Sequence, residues 1–459
     1  MIKKTLVLLT VVLLTFSLIG CTGTGSKDVN TDVLVIGGGG AGLVAAIEAA
    51  SNGAKVILVE KMAAVGGNTI ISATGITASD TVLHTQAGIP FTKADHFKRT
   101  MDSSKNLANA ELVDILVNSS SDAIDWLIEL GVELKVRSEA EPFWIVPVEG
   151  HYGAQLVGAF VKEAQKHQNL EIRTNTKALE LITKDGAVVG AKVDNKGEVY
   201  NINAKAVIMA TGGLNNNPEM IAQYNAKYAN IHTEMTTPGA TGDGIIMGLT
   251  VNADLVDMEY FQVRPLSSNG NWYHERIVTT EDVSGIVVNI NGERFTNETA
   301  APRTLAAEIL KQPEATGYII FDSRVLATPD GKKAFGLGKG VQADSIEELA
   351  ALINIDAEVL KKTVEDYNNG IDPFGRTVLG KIIEGPYVAV KTLPSNHYTM
   401  GGLKVNANAQ VIDKNNKPIA GLYAAGEVMG GLYGDGRVAG NNTLDDIVFG
   451  KIAGANAAK

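Results

Sequence analysis

Three glycines and one acid carry the first recognisable chemistry in the chain. Gly37, Gly39 and Gly42 fit G-x-G-x-x-G directly after the aliphatic run Val33, Leu34, Val35, Ile36. A small-residue helix is expected over 41–50, followed by a second apolar run at 56–59 that ends in Glu60. Strand, turn, helix, strand and a terminal acid make a dinucleotide-binding unit. Gly37 supplies the tight turn. Gly39 lets the backbone approach a pyrophosphate, which sits on the N–H groups at the helix N-terminus. Gly42 lets the helix pack close to the strand. Glu60 can accept hydrogen bonds from both hydroxyls of an adenosine ribose.

The elements that must position this chemistry alternate along the rest of the chain. A glycine-rich loop spans 62–76, and a helical region follows over about 93–131, where Leu112, Ile115, Leu116, Ile124, Leu127 and Ile128 recur at helical spacing. Residues 143–153 read as irregular and 154–167 as a helix. Strands are expected at 171–173, 178–183, 187–193, 198–202 and 206–210. From about 249 the pattern changes to strands at 285–291 and 317–321 and helices at 301–311 and 346–369. After Pro394 come a hairpin (403–405 with 411–412), a strand at 421–425 and a final helix at 443–457. The expected organisation is one dinucleotide domain made of 31–248 and 391–459, with a second domain, 249–390, inserted between them. The cleft between the two is the default active site.

The 459 residues suffice for about two to three domains. Hydrophobic residues are 45% and charged residues 20%, the composition of a globular chain. Net charge is −11 and no Lys/Arg-rich run appears, which argues against nucleic-acid binding. Lys3 and Lys4 precede an apolar stretch over 5–16 that is short for a bilayer span, and Leu18-Ile19-Gly20-Cys21 follows. This resembles a bacterial lipoprotein signal, 1–21, with Cys21 lipidated after cleavage and 22–30 as a flexible tether. The alternative is an ordinary cleaved signal with an incidental cysteine. Cys21 is the only cysteine, so the chain holds no intramolecular disulfide, no Cys-ligated iron–sulfur cluster and no c-type haem attachment.

NAD and FAD can share the first motif, and the later segments separate them. A second glycine loop after Glu60, the Ala210-Thr211-Gly212-Gly213 strand end, Thr241-Gly242-Asp243-Gly244 and a late Gly426-Glu427 resemble FAD enzymes. Over about 32–459 the chain resembles the flavoprotein family of soluble fumarate reductases, flavocytochrome c and urocanate reductases, here as a lipoprotein without haem or FMN domains. The resemblance implies an α/β fold: a Rossmann-like FAD-binding domain with an inserted α+β capping domain. It places Ala41, Glu60, Asn68, Ala73, Ala178, Asp243, Tyr398, Glu427, Asn442 and Thr443 on FAD. Lys61, Gly67, Thr69, Thr211, Gly212 and Gly426 stand in the same segments. Relatives in membrane-bound complexes hold the flavin covalently through a His where this chain has Asn68, so non-covalent FAD is expected.

The resemblance also assigns the reacting groups. Arg303, after the segment 292–298, stands at the family's proton donor, and Glu281 at the glutamate that resupplies it. A guanidinium stays protonated almost always, so it can serve only when held rigidly and fed through a relay. The family's further relay arginine is Ser284 here. His397, within Ser395-Asn396-His397-Tyr398-Thr399-Met400-Gly401-Gly402, matches a substrate-carboxylate histidine. Arg437 matches the arginine whose planar fork grips a substrate carboxylate. Thr280, Thr74 and Gly440 fall with the substrate set. Arg264 replaces a histidine of the fumarate reductases, and Thr74 replaces a glycine, which narrows the pocket. Phe143 and Trp144 either flank an aromatic substrate or belong to the core. The expected activity is extracytoplasmic, respiratory reduction of an α,β-unsaturated carboxylate on the outer side of a membrane, with electrons from a separate FMN or haem carrier or a quinone-linked chain. The rivals are a flavin dehydrogenase or oxidase working in reverse, and a lipid-anchored flavin carrier.

Overall fold

Residues 33–36, 56–59 and 206–209 are aliphatic without interruption, and such strands need both faces covered. The computed structural model describes residues 28–73, 75–231, 236–267, 285–337, 339–377 and 380–459. In it these three runs form the centre of a six-stranded sheet in the order Gln410–Ile412, Pro418–Ala424, Ala206–Met209, Val33–Ile36, Val56–Val59, Leu170–Arg173. All neighbours are parallel except the Gln410–Ile412 edge. The three central strands are buried at every position. Each such side chain contributes about 1.5–3 kcal/mol through burial.

The helix Gly40–Ser51 packs directly on the last helix, Asn441–Ala457. The approach is close because the last helix presents glycine at the contact: a Cβ at Gly454 would lie 2.4 Å from the Ala45 carbonyl oxygen. The two helices that open the two glycine loops are therefore one rigid unit. A four-stranded sheet, Val29–Asn30, Glu198–Asn203, Ala187–Asn195 and Thr176–Lys184, packs through Ala187–Asn195 on Ala206–Met209 and Pro418–Ala424 and supplies Ala178.

A second, antiparallel sheet runs Phe261–Ser267, Tyr387–Thr399, Gly317–Phe321, Ile286–Asn289, with Val341–Ala343 also pairing on Tyr387–Thr399. Strand alternation divides its side chains between two small cores. Ile286, Val288 and Ile320 pack with Leu349, Leu360, Val364 and Tyr367. Val287, Ile319 and Phe321 pack with Val325 and Ala334 on the other face. The long strand Tyr387–Thr399 crosses the boundary drawn at 390, so His397 and Tyr398 belong to this sheet.

Three local expectations change. Residues 143–153 are not irregular: Trp144–Pro147 is a strand between Ile76–Thr77 and Leu134–Val136, and Tyr152 already starts a helix. The 403–405/411–412 hairpin dissolves into two sheets. Gly402–Lys404 pairs with Leu255–Val256 and Met429–Gly430, while Gln410–Ile412 pairs with Pro418–Ala424, and only the bridge Val405↔Val411 joins them. Local spacing cannot show that a strand prefers a distant partner. The segment 292–298 is structural. Arg294 donates twice to Glu298, each at 2.8 Å, and pairs with Asp372 at 2.9 Å. Arg376 joins the same carboxylate at 3.2 Å.

Candidate active site

A cavity of about 480 Å³ runs between the two sheets, within the range of ligand sites. At one end lies the first glycine loop. Gly37 sits at φ +111°, and a Cβ on Gly42 would stand 1.9 Å from the Gly37 carbonyl oxygen. Gly42 therefore secures helix–strand packing and does not line the cavity. Gly39 and Ala41 do line it, and a Cβ on Gly39 meets no atom within 4 Å. That open space at the N-terminus of Gly40–Ser51 suits a pyrophosphate.

Glu60 is held by Gly38 N–H at 2.7 Å and Met62 N–H at 2.7 Å, which aims its carboxylate along the cavity wall. Lys61 donates to Thr241 and Asp243 at 2.6 and 2.9 Å. Burial raises the Asp243 carboxyl, but the Lys61 and Thr241 bonds outweigh it and hold it below its usual range. Gly67, Asn68, Thr69, Ala73 and Ala178 continue the lining. Thr211 and Gly212 line it too, with the Thr211 hydroxyl turned away and buried against Gly244. Asn68 accepts from Thr237 N–H at 2.7 Å and donates to Glu427 at 3.4 Å. Thr399 N–H holds the other Glu427 oxygen at 2.9 Å. Gly426, at φ +74°, is tucked against Ala41 and sits outside the lining.

At the other end, Arg264, His397, Tyr398 and Arg437 converge. A β-bulge explains how two consecutive residues face one cavity. Tyr398 pairs with Gln262 and Asn396 with Val263, so His397 is the extra residue and is turned inward with Tyr398. Burial pushes the His397 imidazole well below its usual pKa, and Arg264 and Arg437 push it further. Neutral imidazole offers one N–H donor beside two permanent cations. Arg437 donates to Gln262 at 2.6 Å and to Asn442, and its own Nε is buried without a partner.

The loop carrying Arg437 is pinned from outside. Asn441 donates to Thr100 at 2.9 Å, so its Oδ1 must accept from His96 Nε2, also 2.9 Å away. Burial brings His96 down to about 4, keeping the ring neutral. Gly440 caps the last helix at φ +91° against Thr77, and Thr443 is buried in its first turn, so both shape the loop from behind and line nothing.

Arg303 is not brought into the cavity. Its guanidinium is held by the Asp435 carbonyl and carboxylate, one residue before Gly436. Glu281, Thr280, Ser284, Thr74 and Cys21 lie outside the described residues. Phe143 and Trp144 belong to a cluster with Phe91 and do not line the cavity. Four functional contacts were missing from the sequence reading: Gln262, Thr237, Asp435 and Asp446. Gln262 stands two residues before Arg264 on a strand, a spacing that shares a face. Asp446 follows Asp445 in the first turns of the last helix, a pair of adjacent acids that also marks it out.

A family model described as FAD binding domain matches residues 32–444. A probable fumarate reductase of Shewanella frigidimarina (strain NCIMB 400) is 35% identical over 445 residues, covering 94% of this chain and 75% of that protein. A urocanate reductase of Eggerthella lenta is 35% identical over 454 residues, covering 94% of this chain and 75% of that protein. Among solved structures, the open conformation of a flavocytochrome c3 fumarate reductase matches with a TM-score of 0.86 at 34% identity, covering 95% of this chain and 79% of that one.

Proposed function

The chain belongs to the FAD binding domain family, as a fumarate reductase-like flavoprotein oxidoreductase that acts on C=C bonds with FAD as cofactor, and from that premise we propose that its substrate is an α,β-unsaturated carboxylate. One observation carries the reading: Arg264, His397 and Arg437 meet at the end of the cavity opposite the dinucleotide loop. The adenosine and pyrophosphate half of FAD fits Glu60, Gly39 and the helix start at Gly40. Glu427 would hold the ribityl chain, and Asn442 and Tyr398 would hold the flavin. Asn68, an amide where relatives carry a flavin-linked His, supports non-covalent binding.

Reduced FAD supplies hydride to the substrate β-carbon when it is bound there. The chain's own residues do the rest. Arg437 grips the carboxylate with two parallel N–H donors, and His397 adds a neutral donor that draws charge toward the same oxygens as the α-carbon becomes electron-rich. Each charge-assisted bond contributes about 1.5–3 kcal/mol. Arg264 adds a second permanent cation, suited to an acid with another anionic or acceptor group. Arg303 protonates the α-carbon without leaving Asp435, as the sheet bearing His397 closes on the cavity and excludes water. A fixed cation set suits reduction over the reverse reaction, and a mere flavin carrier needs none of it.

We also take the inserted segment 249–390 as a capping domain, Cys21 as a lipid anchor on the extracytoplasmic face, and a separate carrier protein as electron donor. The experiment is anaerobic reoxidation of dithionite-reduced holoprotein, followed at the flavin absorbance, with fumarate, urocanate, cinnamate, acrylate and itaconate in turn. Fast reoxidation by one acid, lost in Arg303→Ala, is the expected result. No reoxidation by any acid overturns the reading.

A further inference from the structure

Arg303 can donate a proton only if something returns one, because a neutral guanidine is among the strongest bases a protein can hold. The structure surrounds it with a specific candidate. Asp435 binds both terminal nitrogens of Arg303, one through its backbone oxygen and one through its carboxylate. The second carboxylate oxygen of Asp435 pairs with Lys105. The Lys105 side chain is 67% exposed, that of Asp435 15% and that of Arg303 39%. Arg303, from the Pro302–Leu310 helix, reaches across to a loop that carries Arg437 two residues later. Solvent, ammonium, carboxylate and guanidinium thus stand in one hydrogen-bonded line.

We propose that Asp435, in place of the route through Glu281 that the resemblance implies, positions Arg303 and returns its proton, fed from solvent through Lys105. The inference rests on the carboxylate-reductase reading above and on Arg303 as donor. The balance is simple. Arg303 passes one N–H proton to the substrate α-carbon, Asp435 passes one to Arg303, Lys105 passes one to Asp435, and water or buffer restores Lys105. No electrons move in this line. The pull is toward Arg303 because neutral guanidine is the strongest base in the row. Burial raises the Asp435 carboxyl, but the Lys105 and Arg303 bonds lower it more, so it rests as the anion that a relay between two cations requires.

The test uses the holoprotein and the acid that reoxidises wild type. In single-turnover reoxidation, Asp435→Asn is expected to slow the rate at saturating acid by roughly 10²-fold or more, the usual scale of a lost general acid–base step. The Kd for the acid and the FAD content stay near wild type. Asp435→Glu restores most of the rate. Lys105→Met slows it less and is rescued by added methylammonium, which a purely structural contact would not allow. A wild-type rate in Asp435→Asn, a loss confined to Kd, or a Lys105→Met variant indifferent to amine overturns the proposal. Wild type that no acid reoxidises overturns the reductase reading itself, and this proposal with it. Wild type that is reoxidised alongside an unaffected Asp435→Asn removes the relay alone.

Discussion

The guanidinium of Arg437 lies 4.4 Å from the centre of the Tyr398 ring. The ring covers one face of the cation, while Gln262 and Asn442 take in-plane hydrogens, so a carboxylate has one edge to approach. Lysine keeps the charge but not the fork. Arg437→Lys should lower acid-dependent reoxidation by roughly 10²-fold with FAD content unchanged, measured by stopped-flow absorbance against the flavin-to-protein ratio.

Gln262 is the buried acceptor that sets the rotation of that fork. Gln262→Leu leaves a charged donor without its partner and should cost about 1–3 kcal/mol. Urea unfolding would show the loss, and the Kd for the acid should rise in the same variant. A Kd unchanged in a stable variant would mean that Gln262 does not orient Arg437.

Asp446 gives a pH dependence. Its carboxyl is raised to about 7, first by burial and then by Glu427, against the Thr69 and Ala41 bonds and Arg437. Asp445 is the neighbouring acid, itself raised by burial and by Asp446. Between the ordinary 3.8 and about 7 the folded protein holds a proton that the unfolded chain does not. The contribution is therefore full below 3.8 and lost as pH rises through about 7. It amounts to at most about 4 kcal/mol. FAD-free protein should lose stability over this window, and Asp446→Asn should flatten the loss. FAD affinity of wild type should also fall above neutral pH, because the pyrophosphate then meets an added anion beside Thr69. Equilibrium unfolding and fluorescence titration at pH 5 and 8 check both.

Glu298 sits between Arg294 and Arg376, with its side chain fully buried. Removing its charge leaves Arg294 with Asp372 and Arg376 with the Gly285 carbonyl, and Glu298→Gln should cost about 1–3 kcal/mol. Thermal unfolding is the measurement, and an unchanged midpoint would contradict the pairing.

Cys21→Ser should abolish radiolabelled palmitate incorporation and move the expressed protein from the membrane to the soluble fraction. Retention of label would refute the lipid anchor.

Much of the dinucleotide half was legible because its causes are local. Continuous aliphatic runs, glycine spacing and a terminal acid each act within a few residues, and Gly39, Glu60 and Lys61 line the cavity as read. The antiparallel half was harder. His397 faces the site through a bulge, which depends on where its partner strand skips a residue. Asp435 meets Arg303 across 132 positions of sequence. Gln262 meets Arg437 across 175. The pairing of Gly402–Lys404 and Gln410–Ile412 with different sheets is likewise set by tertiary competition. The segment 292–298, which precedes Arg303, concentrates charge, yet Arg294 and Glu298 pair with each other inside the fold.

Phe261 and Thr399, where the inserted sheet begins and ends, are directly paired. Entry and exit are thus a single two-stranded stem, and everything between them can be cut or replaced at one doorway. The nucleotide-holding half meets that stem through Glu427 on Thr399 and Arg437 on Gln262. Exchange of 261–399 as a cassette between relatives would then transplant acid preference together with one wall of the flavin seat, Tyr398, and the stem would carry His397 and Arg264 along with it.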